Sequence, residues 1–284
     1  MILIRQLRVY QWVKNLLILA PLFFARQMSF SGVVKMIPAL VSFCLLASSI
    51  YIINDLADLD ADRQHPRKKQ RPLASGDLEP KSAYALIAGL TTTSAILAVL
   101  LCPQVLYLLA CYALLNISYS LYLKRIPVLD VLILASGYVL RIWLGGIIAN
   151  VAMSHWIFIC TFLGAVLLSL GKRKSEIAIQ TDAKGTETTS PQYSSRYTYV
   201  AIALVSLLLA TSYGLYSIDT RTISFYGTNQ LIWTSTLVLL GIGRYLQLAK
   251  RNQRTDDPTR LFLTDVPMIL IVGAWLVMFN LMVA

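Results

Sequence analysis

The densest chemistry in this chain lies between residues 54 and 63, where Asn54, Asp55, Asp58, Asp60 and Asp62 crowd ahead of Arg63. In a helix each residue advances about 100° around the axis. Asn54, Asp58 and Asp62 then fall within a narrow arc, with Asp55 at its edge. Asp60 points nearly the opposite way, toward solvent or a salt bridge. Like charges at i,i+4 repel and weaken a bare helix, so this stripe needs compensation. A divalent cation supplies it. Few hard oxygen ligands, with places left for water or phosphate, suit Mg²⁺ carrying a di- or triphosphate. The bland alternative is a solvated acidic helix end beside a basic loop, but acids in or next to a membrane span are functional by default.

A basic run follows at once: Arg63, Arg67, Lys68, Lys69 and Arg71, then Pro72, Leu73, Ala74, Ser75 and Gly76. Taken alone it reads as a cytoplasmic topology signal. Beside an acidic stripe it reads better as a lid of phosphate ligands. Arg71, held in place by Pro72, is the leading member.

The elements that position these groups are set by composition. The chain has 284 residues, 57% hydrophobic and 14% charged, with a mean hydropathy of +0.64. Ordinary soluble chains carry about 25% charged residues. So few charges could not cover a soluble surface, and disorder is excluded on the same ground. Several apolar runs approach the ~20 residues that cross a hydrocarbon core. Nine spans are expected, at 15–34, 37–57, 82–101, 104–123, 128–149, 153–170, 199–218, 229–249 and 263–283. All must be helices, because lipid offers the backbone no hydrogen-bond partner. The expectation is an all-α membrane protein, one polytopic domain over 1–284, with long inner loops at 58–81 and 171–198. These loops recur four helices apart, which hints at two pseudo-equivalent halves.

With the N-terminus placed in the cytoplasm, 21 of the 25 Lys and Arg residues fall on the inner side. Arg26, Lys35 and Arg221 lie on the other side, and Arg141 lies inside the fifth span. This follows the positive-inside rule and accounts for the net charge of +11 without nucleic acid. The four cysteines, Cys44, Cys102, Cys111 and Cys160, show neither zinc nor disulfide spacing. With only His65 and His155, a His-rich metal site is excluded. Trp12, Trp143, Trp156, Trp233 and Trp275 read as interfacial belt residues.

The spacing Asn-Asp-x-x-Asp-x-x-x-Asp at 54–62, followed by Arg-Pro-Leu-Ala-Ser-Gly at 71–76, resembles the UbiA-type intramembrane prenyltransferase superfamily. Four further blocks carry the resemblance toward its decaprenyl-phosphate phosphoribosyltransferase branch. They are Gln11 to Asn15, Tyr119 to Lys124, Pro127 to Asp130 with Ala135 to Gly137 and Arg141, and Gly171 to Glu176. The chain departs from the aromatic prenyltransferases of the family after the sixth span. There a second Asp-rich motif binds a second cation, whereas this chain has Lys172, Arg173, Lys174, Ser175 and Glu176. Three cations hold phosphate by charge-assisted hydrogen bonds but cannot duplicate a metal site. Glu176 either completes a metal shell or orients a lysine.

The resemblance implies a nine-helix UbiA-type bundle in a bacterial inner membrane, with the active site facing the cytoplasm. It implies transfer of a 5-phosphoribosyl group from phosphoribosyl pyrophosphate to a decaprenyl or other polyprenyl phosphate, releasing diphosphate, in cell-wall precursor synthesis. Asn54, Asp55, Asp58 and Asp62 would hold Mg²⁺ and the diphosphate. Lys14, Arg71, Lys124, Lys172 and Arg173 would hold phosphates. Asn15, Tyr122, Asp130 and Arg141 complete the expected substrate contacts. The nucleophile, a lipid phosphate oxygen, is already ionised and needs no strong general base. Homo-oligomerisation stays open. The competing enzyme reading joins a polyprenyl diphosphate to an aromatic acceptor, and the basic block at 172–176 argues against it. A transporter would bury its acids mid-span, whereas these sit at a span's end, and a pure scaffold leaves the stripe unexplained.

Overall fold

The computed structural model describes residues 2–64, 68–182, 195–250 and 258–283, and among these it contains helices and no strand. Among the described residues eight helices are long and apolar enough to cross a membrane. Arg67 and Glu187, with the side chains of Glu176 and Asp182, lie outside the described residues. The chain gathers into two compact units, one reaching Met153 and the other starting at Ser154.

The first unit opens with α1 (Ile2–Gln6), a 3-10 helix at Val9–Leu19 and α2 (Ala20–Phe24). It continues with α3 (Phe30–Ala57), α4 (Leu59–Gln64), α5 (Pro72–Ser75), α6 (Pro80–Leu101), α7 (Pro103–Leu121) and α8 (Leu129–Ala149). The first expected span, 15–34, is corrected here. Its apolar helix is Val9–Phe24, the chain turns at Arg26 with φ 58, and Phe30 already belongs to α3. A 3-10 helix rises about 2.0 Å per residue, so a short segment covers an unusual length.

Packing in this unit is close and specific. Ile18, Leu22, Met36, Phe43, Leu46 and Leu144 share one buried core. The 3-10 helix meets α8 at Gly145, where a Cβ would lie 2.0 Å from the Ile18 carbonyl oxygen; only glycine permits the contact. Helices α3 and α6 are joined by reciprocal hydroxyls. Ser42 Oγ donates to the Ser94 carbonyl at 2.9 Å, and Ser94 Oγ donates to the Ser42 carbonyl at 2.8 Å. Small polar residues at helix contacts are the usual glue where lipid removes a hydrophobic drive.

The second unit comprises α9 (His155–Asp182), α10 (Ser195–Ile218), α11 (Thr220–Tyr226), α12 (Thr234–Lys250), α13 (Pro258–Thr264) and α14 (Val266–Val283). The expected loop at 171–198 begins later than the apolar run suggests, because α9 carries its helix on through Lys172, Arg173 and Lys174 to Asp182. Arg244 of α12 pairs with Asp265, Nε to Oδ1 at 3.1 Å and Nη2 to Oδ2 at 2.8 Å. Asp265 also accepts the Met268 backbone N–H at 3.0 Å, capping α14. So Arg244, counted with the topology signals, is a structural clamp. Three tryptophans are likewise tied inward: Trp12 donates to Ser48, Trp156 to Asp219 and Trp275 to Tyr213. Trp143 and Trp233 are exposed.

Candidate functional site

The acidic segment lies at the junction of α3 and α4. Helix α3 ends at Ala57 and Asp58 leaves helical geometry with φ −101 and ψ 9. The carbonyl ladder nevertheless continues, Asp58 N to Asn54 O at 3.0 Å and Asp62 N to Asp58 O at 2.8 Å. The expected face therefore survives the break. Asn54 Nδ2 reaches Asp58 Oδ2 at 3.3 Å. Asp60 points away as expected, 93% exposed, with Arg63 at 3.5 Å.

Asp55, Asp58 and Asp62 are buried, and each lies against a cation. Lys124 donates to Asp58 Oδ1. Arg71 Nη1 reaches Asp62 Oδ2 at 2.5 Å and Asp55 Oδ1 at 3.1 Å. Lys68 lies 3.9 Å from Asp62 Oδ1. Arg8 donates to Asp55 Oδ1 and Gln6 Nε2 donates to Oδ2 at 3.2 Å. Among the described residues no three of His, Cys, Asp and Glu converge as one metal-holding cluster. Coulomb repulsion between buried carboxylates explains this: each is cheapest next to a guanidinium or ammonium. Asp55, expected at the edge of the stripe, thus touches Gln6, Arg8 and Arg71 together.

The positioning of these cations follows from local sequence. Arg71 caps α5 with ψ 143, the extended geometry that a following proline enforces. Lys124 sits in the 3-10 turn Leu123–Arg125 after α7 and is itself buried. Tyr122, just before it, is 73% exposed. Val128 has φ 72 and ψ −49, a positive-φ conformation that is costly for a β-branched residue. It sets Asp130, which is fully buried, in the first turn of α8.

Deeper in the same unit, Arg141 is buried between helices. Its Nε donates to Asn15 Oδ1 at 2.8 Å, Nη1 to the Gly137 carbonyl at 2.6 Å and Nη2 to the Tyr112 hydroxyl at 3.3 Å. The rings of Phe43, Tyr112 and Tyr138 lie 4.8, 5.4 and 5.3 Å from its guanidinium carbon. Cation–π contact and three directed hydrogen bonds make this burial tolerable. Asn15 is also tied to Cys44, whose Sγ accepts its Nδ2 at 3.1 Å. Asn15 and Arg141, chosen separately from sequence, therefore meet. Lys14 beside them is half-buried.

In the second unit, the basic block divides by role. Lys174 donates to the Ala249 carbonyl near the end of α12 and lies 4.2 Å from the Tyr199 ring. It serves as a helix-end cap, a structural role within the basic block. Gly171 lies under the Tyr245 hydroxyl, which donates to the Leu167 and Leu168 carbonyls at 3.2 Å. Arg173 is buried and Lys172 is half-buried.

Sequence reasoning missed Gln6 and Arg8, which stand 49 and 47 residues from Asp55. In sequence Arg8 is only one of the inner-side cations. One sign was available: a cation seven residues before Asn15 repeats the cation-rich character of the expected site. That is too weak to choose it from the other N-terminal cations.

A helical membrane fold with a carboxylate segment set among cations is the arrangement of an intramembrane transferase of phosphorylated lipids. The chain belongs to the UbiA prenyltransferase family, whose sequence profile matches residues 16–279. It is 30% identical to the decaprenyl-phosphate phosphoribosyltransferase of Mycolicibacterium smegmatis, over 96% of this chain and 90% of that protein. The enzyme of the same name from Corynebacterium glutamicum is 34% identical, over 76% of this chain and 67% of the relative. Among solved structures, a UbiA homologue from Archaeoglobus fulgidus bound to GPP and Mg²⁺ superposes with a TM-score of 0.75. It is 18% identical, with 98% of this chain and 97% of that chain covered, a likeness of fold.

Proposed function

We propose that this protein transfers a 5-phosphoribosyl group from phosphoribosyl pyrophosphate to a polyprenyl phosphate and releases diphosphate. The observation that carries the reading is the triad of buried carboxylates Asp55, Asp58 and Asp62 in contact with Arg8, Arg71 and Lys124. Such a set of alternating charges is built to take a multiply charged anion. The relatives from M. smegmatis and C. glutamicum, named for this transfer, support the same substrates.

The donor set fits a hard divalent ion. Asn54, Asp58 and Asp62 offer only oxygen ligands, and the buried Asp62 Oδ1 makes no hydrogen bond. These three residues would hold Mg²⁺, the ion bound in the A. fulgidus homologue. When bound, the ion would neutralise charge on the departing diphosphate. Arg71 and Lys124 present fixed positive charge where that charge develops, which lowers the barrier without reorganisation. Tyr122 stays at the exposed margin, and Lys14, Asp130 and Arg141 are further substrate contacts in this reading. In the same reading Lys172 and Arg173 of the second unit are phosphate-holding cations, while the side chain of Glu176 lies outside the described residues. The nucleophilic phosphate oxygen of the lipid attacks the anomeric carbon and the bond to diphosphate oxygen breaks.

The same reading has nine spans, counting the short helix Val9–Phe24, a cytoplasmic N-terminus and a site on the cytoplasmic side of a bacterial plasma membrane. The distribution of Lys and Arg supports that orientation, and the product would serve cell-wall precursor synthesis. The decisive assay uses purified protein in liposomes with ¹⁴C-ribosyl donor and decaprenyl phosphate. Label in an acid-labile phospholipid product is expected. Label instead moving from a prenyl diphosphate into an aromatic acceptor would replace this reading with the aromatic prenyltransferase one.

A further inference from the structure

We propose that Asp55 is a positioning residue and not a metal ligand: it holds Arg8 and Arg71 side by side as a double-guanidinium cradle for one diphosphate. The proposal rests on the phosphoryl-substrate reading above and assigns Arg8 a part in it.

Both oxygens of Asp55 are already committed. Oδ1 accepts from Arg8 Nη2 and, at 3.1 Å, from Arg71 Nη1, while Oδ2 accepts from Gln6 at 3.2 Å. Asp62 differs, because its Oδ1 makes no hydrogen bond. Asp58 has both oxygens engaged as well, Oδ1 by Lys124 and Oδ2 by the Asn54 amide at 3.3 Å, but that amide is itself a metal ligand by its oxygen, whereas Gln6, Arg8 and Arg71 each meet Asp55 as a donor. Asp55 thus has less to offer an ion than Asp62, and it is the carboxylate of the three that touches two guanidinium groups.

Exposure orders the same groups. The Asp55 side chain is 3% exposed, against 19% for Arg8 and 26% for Arg71. The carboxylate lies behind and the two cations lie in front. Each guanidinium has five N–H donors in a planar fork, and Asp55 touches one terminal nitrogen of each. Two adjacent guanidinium groups repel one another; a single carboxylate oxygen between them removes that cost and fixes their spacing. Forks arranged in this way suit the bidentate geometry of phosphate oxygens.

The backbone and a ring fix Arg8 further. Arg8 has φ 51, a left-handed conformation rare for a residue with a Cβ, and it joins α1 to the 3-10 helix. Its guanidinium carbon lies 5.0 Å from the Tyr51 ring centroid, a cation–π contact that adds to its restraint. A cation placed only to fix topology needs none of these constraints.

The test separates metal affinity from diphosphate affinity in purified protein. Mn²⁺ binding is read by the loss of its free-ion EPR signal, and inorganic pyrophosphate binding by calorimetry in Mn²⁺. Asp55→Asn is expected to keep Mn²⁺ affinity within twofold of the wild type and to lose at least tenfold in pyrophosphate affinity. Asp58→Asn is expected to lose at least tenfold in Mn²⁺ affinity. Equal loss of Mn²⁺ binding in both variants, or unchanged pyrophosphate binding in Asp55→Asn, overturns the proposal. Should Asp55→Asn fail to fold, Arg8→Lys decides by the same two readings, since it keeps the charge and loses the fork. Wild-type protein that binds pyrophosphate but transfers no ribosyl group sinks the donor assignment and leaves the role of Asp55 standing. Wild-type transfer with no pyrophosphate defect in either variant sinks the role of Asp55 alone.

Discussion

Lys124 and Asp58 meet as a buried ion pair although 66 residues separate them in sequence. The pair joins the turn after α7 to the end of α3, and it brings together two residues chosen for phosphate and for metal. Replacing Asp58 with Asn leaves the Lys124 ammonium without its counter-charge. Asp58→Asn and Asp62→Asn should each lower ribosyl transfer by roughly 10³-fold, the scale of losing a preorganised charge at a reacting centre. Excess EDTA should act likewise. Substantial turnover in either variant or in EDTA would remove the metal role, provided size-exclusion profiles show both variants folded.

The basic block of α9 should divide under mutation. Lys172→Ala is expected to raise KM for a phosphorylated substrate at an unchanged melting temperature. Lys174→Met removes a charged donor from the Ala249 carbonyl and should cost about 1.5–3 kcal/mol, seen as a lower melting temperature. A melting temperature that falls for Lys172→Ala and holds for Lys174→Met would reverse these assignments.

Gly145→Ala tests the close contact between the 3-10 helix and α8. Its Cβ would meet backbone, 2.0 Å from the Ile18 carbonyl oxygen, and backbone cannot rotate aside. Overpacking should cost about 1–3 kcal/mol or more. Gly214→Ala, whose Cβ meets nothing within 4 Å, is the control. Equal thermal stability of the two variants would show that the contact is soft.

Acid stability should carry a contribution from Asp219. The Trp156 indole and the Arg221 backbone N–H hold its carboxyl below the usual carboxylate range. A lowered folded-state pKa favours the folded protein above the ordinary carboxylate pKa, and that contribution is lost as pH falls through the folded value. Wild type should therefore lose more stability than Asp219→Asn on going from neutral pH to below the ordinary carboxylate pKa, about 3.9. Parallel melting curves for the two proteins across that window would refute the coupling.

Much of this architecture is legible in the residues. Hydropathy marks eight of the nine expected spans, because lipid demands long apolar helices, and the acidic spacing marks the α3–α4 junction. The misreadings have physical causes. Hydropathy reports what lipid can cover and not where hydrogen-bonded turns stop, so it truncates α9 before Lys172. It is also blind to pitch, so Val9–Phe24 looked like part of a longer α-helix running to residue 34. The partners of Asp55 were hidden because Gln6 and Arg8 lie far from it in sequence, and nothing local distinguishes a clamp from a topology signal. For the same reason nothing local in sequence marks the structural partners of Arg244 and Lys174, which are Asp265 and the Ala249 carbonyl.

The tight winding of Val9–Leu19 has one more consequence. With about three residues per turn, adding or deleting a single residue there would swing every side chain before it by about 120° relative to those after it. Arg8 would leave Asp55, or Asn15 would leave Arg141. This stretch can therefore change its letters far more readily than its length, and natural variants should differ there by replacement and seldom by insertion or deletion.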